Sequence, residues 1–171
     1  MQDKPEYQPL LAPGRHRMSL ADIERLCVDK FPESASRGTL FEALEGLARY
    51  LGSVLSACEI WVDGSFVTEK PNPGDVDLTV IVPGEVFDRL AVVDQPAAAS
   101  LLSLAQGDGR FGPALHVFVI ASRPMDHPDY PVLKKAADDW SQWWSVTRER
   151  WIKGFAVVRM GESDVALRIL S

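Results

Sequence analysis

Two short runs constrain the fold of this chain more than any other feature. Val76 to Val82 ("VDLTVIV") and Leu115 to Ala121 ("LHVFVIA") are rich in β-branched and aromatic residues and nearly continuous in apolar character. Strands apolar on both faces belong inside a sheet that is covered on both faces. A third strand is predicted over Glu59 to Asp63. Helices can supply the cover. In "SLADIERLCVDKF" Ser19 can cap with Asp22 three residues on, and Leu20, Ile23, Leu26 and Cys27 recur at helical spacing until Pro32 stops the run. In "ESASRGTLFEALEGLARYLGSVL" Leu40, Leu44, Leu47, Leu51 and Leu55 form one stripe at intervals of three and four.

Further helices are predicted over Pro83 to Leu90, Gln95 to Gln106 and Val132 to Trp144, with "GDGRFGP" and "RPMDHPDYP" as loops. A last pair of strands, around Phe155 to Met160 and Val165 to Leu170, would be joined by "GESD" as a hairpin turn. The expected architecture is α/β (α+β), a small mixed β-sheet with helices mainly on one face, in a single domain over residues 19–171. Residues 1–18 hold Pro5, Pro9, Pro13 and Gly14 without periodicity and read as an extended arm lying over the surface.

A chain of 171 residues, 46% hydrophobic and 25% charged, is large and apolar enough to bury one core. Its net charge of -6 argues against broad, sequence-independent binding of nucleic acid, which needs many Lys and Arg contacts to phosphates. The start lacks a charged segment followed by an apolar run, and no uncharged apolar stretch approaches the roughly 18 residues that would span a bilayer. A cytoplasmic protein without membrane association is expected. Cys27 and Cys58 lack metal-type spacing and read as buried free thiols.

Asp75 and Asp77 interrupt the apolar pattern. Side chains alternate along a strand, so the two carboxylates project from one face with Cα atoms roughly 6.5 to 7 Å apart. Carboxylates that close repel each other, and a divalent cation between them is the economical remedy. Oxygen-only ligands favour Mg²⁺ or Mn²⁺, whose remaining positions are filled by water and substrate phosphates. Phosphates also need outward-facing backbone N–H groups. Gly64-Ser65, directly after a strand, offers close backbone approach and a hydroxyl donor at a short helical turn. Nine residues separate Ser65 from Asp75, enough for a tight connection between neighbouring strands.

With these residues in place, "WVDGSFVTEKPNPGDVDLTV" resembles the signature of the polymerase-β-type nucleotidyltransferase superfamily: an apolar residue, Gly-Ser, about nine to thirteen residues, then Asp-apolar-Asp-apolar at the head of a strand. The resemblance extends from Thr39 to Ala121, and "PGRHRMSLADIERLCVDKFPESASR" with "KGFAVVRM" looks like parts of an uncharacterised bacterial group of minimal nucleotidyltransferase-like proteins. It implies the nucleotidyltransferase fold, with Gly64 and Ser65 holding a nucleoside triphosphate and Asp75 and Asp77 ligating Mg²⁺ or Mn²⁺ as catalytic residues. It implies transfer of a nucleoside monophosphate to a protein or RNA acceptor, and a cognate partner in a toxin–antitoxin system. It also implies a third carboxylate on a later strand, yet "ALHVFVIA" has none and carries His116 in that region. His116 as a third ligand or base is one reading; a core or edge histidine is the plainer one. A degenerate, non-catalytic member acting as a binding, antitoxin or regulatory subunit is the alternative to an enzyme. A glycosyltransferase would also use Asp-x-Asp, but it needs a larger nucleotide-binding domain and leaves Gly64-Ser65 unexplained.

Lys70, between the halves of the motif, and Lys153 are candidate phosphate contacts, with a solvated lysine the plainer reading of each. Trp140, Trp143 and Trp144 follow helical spacing, so a hydrophobic seam against the sheet or a partner accounts for them better than base stacking with Trp151. Arg148 and Arg150 beside them suggest a local positive patch, and His16 reads as an arm residue without chemistry.

Overall fold

The computed structural model describes residues 7–107, 109–146 and 152–161. Five strands form one mixed sheet: β1 (Gly14–Arg17), β2 (Ala57–Asp63), β3 (Val76–Pro83), β4 (Leu115–Ser122) and β5 (Gly154–Gly161). Their order is β1-β5-β2-β3-β4. The central β5-β2-β3 ladder is antiparallel, whereas β1 pairs parallel with β5 and β4 parallel with β3. The helices are α1 (Leu20–Glu24), continued by a π-helical turn (Arg25–Asp29), α2 (Arg37–Val54), α3 (Gly84–Val93), α4 (Gln95–Ala105) and α5 (Tyr130–Trp144).

The alternation of each strand sorts side chains between two cores. Ile60, Val62, Leu78, Val80, Val82, Val117, Ala156 and Val158 face α1 to α4, against Ile23, the stripe Leu40, Leu44, Leu47 and Leu51, and Leu90, Leu101 and Leu104. Trp61, Ile81, Ile120, Phe155 and Val157 face the other way and meet Ala137 and Trp144 of α5. Helices mainly on one face, the expected α/β arrangement, is what the chain adopts, with α5 closing the second face as its one helix among the described residues. At about 25 cal/mol per Å² of apolar area, burial of a side chain such as Trp61 or Leu78 contributes roughly 2 to 3 kcal/mol.

The α1 boundary follows its capping box: the Ser19 hydroxyl accepts from the Asp22 amide at 3.1 Å, and the Ser19 amide donates to the Asp22 carboxylate at 2.9 Å. Trp144 is buried and its Nε1 donates to Thr79 Oγ1 at 2.9 Å, while Trp140 stacks on Trp144 and packs against Phe118. The tryptophan seam therefore holds for Trp140 and Trp144. Trp143 takes no part in it and is 70% exposed. Both cysteines are buried and free, and burial pushes each thiol up to about 12.

The N-terminal segment differs from an arm draped on the surface. Residues 14–17 are the parallel edge strand beside β5, the Leu10 amide donates to the Val67 carbonyl at 3.0 Å, the Glu69 amide donates to the Gln8 carbonyl at 2.8 Å, and Leu11 is buried. "GRHR" has no apolar alternation, because an edge strand with little buried side-chain surface needs none. His16 in this strand bonds through Nε2 to the Ala12 carbonyl at 2.7 Å. The expected strand at Val165 to Leu170, its "GESD" turn after Gly161, and Arg148, Arg150 and Trp151 lie outside the described residues.

Candidate functional site

Register brings the chemistry-bearing side chains together. In the antiparallel β2–β3 pair Asp63 lies opposite Asp77, and in the parallel β3–β4 pair Asp77 lies opposite His116. Odd-numbered residues of β3 share the face that carries Thr79 and Ile81, so Asp75 and Asp77 stand beyond the point where Trp144 seals that face. His116 Nδ1 is 3.2 Å from Asp77 Oδ1 and 3.8 Å from Asp75 Oδ2. All three side chains remain partly in solvent, which leaves this end of the sheet open to a ligand.

Gly64 to Val67 form one turn of 3-10 helix immediately after β2, as the Gly-Ser pair predicted. Gly64 has φ +78°, and a Cβ there would lie 3.0 Å from Asp77 Cγ and closer still to its Oδ2. Only glycine fits. The turn and the aspartates thus abut, and the backbone passes against the face of the Asp77 carboxylate. The Ser65 hydroxyl, next in the chain to Gly64, is buried with no hydrogen-bond partner, an orphan donor that a phosphate oxygen would satisfy. Two oxygen-bearing side chains that both reach solvent match the way Mg²⁺ and Mn²⁺ are held. Among the described residues no three His, Cys, Asp or Glu side chains are arranged to enclose a metal ion by themselves, so substrate oxygens would have to complete the coordination.

The segment between the motif halves is held by Arg37, a fully buried cation at the start of α2. Its Nη1 donates to the carbonyls of Cys27 and Phe66, both at 2.7 Å, and its Nη2 to those of Thr68 and Lys70 at 2.6 and 2.7 Å. The Phe31 ring covers the guanidinium at 3.8 Å. Asn72 adds a second tie, accepting from the Ala35 amide at 2.8 Å. Lys70 contributes its carbonyl to this clamp, and its ammonium has no hydrogen-bond or ion-pair partner among the described residues.

Two more residues complete the site: Asp63, which the sequence pattern left unmarked, and Lys153, expected as a candidate phosphate contact or a solvated lysine. Asp63, directly before Gly64, is fully buried, and both its oxygens accept from Lys153 Nζ, at 2.9 and 2.7 Å. Lys153 is not a solvated lysine: it is 8% exposed and fixed by this pair. Asp63 was legible in principle, since it shares the alternation of Trp61 and precedes the Gly-Ser pair. Lys153 comes from 90 residues away, and nothing local marks Asp63 as its partner.

Burial pushes the Asp63 carboxyl up to about 6, with the Lys153 ammonium opposing, and burial with the neighbouring Asp75 also raises Asp77. A carboxyl whose native pKa exceeds its unfolded one stabilises the fold only at low pH. That contribution is complete below about 4 and is lost as pH rises through about 6. We therefore expect the stability of the native chain, relative to Asp63→Asn, to fall between pH 4 and 6 in urea titrations. A difference that rises over this interval would place the carboxyl on the other side of its ordinary value.

An α+β protein with a mixed sheet and an acidic, glycine-backed cluster at one sheet end is the class that fold and site define. The chain belongs to DUF6932, a family of unknown function, whose family model matches residues 5–159. Neither the curated proteins nor the solved structures give a match. No described helix is long and apolar enough to cross a membrane.

Proposed function

We propose that this chain binds a nucleoside triphosphate with Mg²⁺ or Mn²⁺ at Asp75 and Asp77 and transfers its nucleotidyl group to a hydroxyl of a protein or RNA acceptor. The observation that carries this reading is the contact of Gly64 with Asp77, which makes the Gly-Ser turn and the carboxylate pair one site. The Gly64-Ser65 turn grips the phosphate chain through backbone N–H groups and the Ser65 hydroxyl. The divalent ion would neutralise charge on the phosphates and polarise the reacting phosphorus. The acceptor oxygen forms a new bond to the α-phosphorus, the bond from that phosphorus to the bridging oxygen breaks, pyrophosphate leaves with the electron pair, and the hydroxyl proton passes to water. Catalysis of this kind is largely positioning and charge neutralisation. Pairing with a toxin or antitoxin partner rests on the superfamily resemblance alone.

One observation favours the second reading, a nucleotide-binding regulatory subunit without turnover. The β4 position opposite Asp77 holds His116, and Asp63 is engaged with Lys153, so no further free carboxylate faces the pair among the described residues. Incubation with each α-labelled nucleoside triphosphate, Mg²⁺ and cell extract separates the two. The enzyme reading predicts label in protein or RNA that disappears with Asp75→Asn; binding of nucleotide with no label transferred supports the subunit.

A further inference from the structure

Resting on the proposed nucleotide site, we infer that Lys153, held by Asp63, is a built-in cation that takes the place of a second divalent ion, so that the site binds one metal ion and not two. Like charges directly opposite across an antiparallel pair are destabilising, and the β2–β3 register sets Asp63 opposite Asp77. Lys153 answers that repulsion from inside the protein. Its Nζ reaches both oxygens of Asp63 at hydrogen-bonding distance in a buried setting, where charge pairs are screened far less than at the surface.

Charge counting gives the same answer. Before nucleotide binds, Asp63, Asp75 and Asp77 supply three negative charges and Lys153 one positive, leaving two, which match one divalent ion. Access separates the two places in the same way. Asp75 and Asp77 face solvent and can admit an ion with its water, whereas Asp63 is fully buried behind the Lys153 pair. An ion on Asp63 would have to expel the lysine and shed its own water, and Mg²⁺ dehydrates reluctantly. Lys153 is thus a positioning and charge-compensating residue, too firmly paired to leave for a phosphate.

The test is to count Mn²⁺ bound per chain, from the resonance of free Mn²⁺, for the full chain alone and with a non-hydrolysable ATP analogue. The inference predicts one ion in the native protein. In Lys153→Met it predicts a second ion on the released Asp63 carboxylate, a gain that misfolding cannot produce; Lys153→Gln serves if the methionine variant does not fold. Two ions in the native protein, or one ion in a folded Lys153 variant, would overturn the inference and leave the nucleotide site standing. No ion in the native protein under either condition would overturn both.

Discussion

Replacing Arg37 with methionine should destabilise the protein by about 3 to 5 kcal/mol, the range expected when a buried charged donor is removed and its partners stay behind. Four carbonyls, of Cys27, Phe66, Thr68 and Lys70, lose their donor at once. Three of them belong to the segment joining the Gly-Ser turn to the aspartates, so the loss is not confined to stability. Even below the melting transition, nucleotide binding should weaken, because the turn is no longer pinned to α2. Urea unfolding of the variant checks the first part. A change under 1 kcal/mol would mean that water replaces the guanidinium at these carbonyls without cost.

Gly64→Ala should have the larger effect on the site itself. The residue sits at φ +78°, where a side chain costs roughly 1 to 2 kcal/mol. The added methyl would also collide with the Asp77 carboxylate, and either that side chain or the turn must move. We expect nucleotide affinity in the presence of Mg²⁺ to fall at least about tenfold, equivalent to some 1.4 kcal/mol, with the fold retained. Calorimetric titration of the folded variant reads this directly, and unchanged affinity would separate the turn from the aspartates.

Much of this was legible in the sequence, for a physical reason in each case. The runs at Val76 and Leu115 announce covered strands, and the observed elements extend them only to Pro83 and Ser122. The leucine stripe from Leu40 to Leu51 gave α2, and Gly64-Ser65 gave the short turn, because glycine at positive φ and period-3.6 burial both leave local marks. What lay hidden is non-local or unpatterned. Strand β1 is written in charged residues, since an edge strand gains its hydrogen bonds without burying side chains on both faces. Arg37 looks like any helix-start arginine until the chain folds carbonyls around it. The Asp63–Lys153 pair spans β2 and the start of β5, and only the sheet order makes the two neighbours. Alternation put Asp75 and Asp77 on one face; register alone added Asp63 and His116 to their row.

The central claim is that the turn and the carboxylate pair act as one metal-dependent nucleotide clamp. Its most direct test is the thermal midpoint of the native chain and of the Asp75→Asn, Asp77→Asn double variant, with each nucleoside triphosphate, with and without Mg²⁺. A ligand at a hundred times its Kd stabilises the folded state by about 2.7 kcal/mol, a rise of several degrees for a domain of this size. The account predicts that rise for at least one nucleotide, only when Mg²⁺ is present and only in the native chain. No shift with any nucleotide, or an equal shift in the double variant, would contradict it.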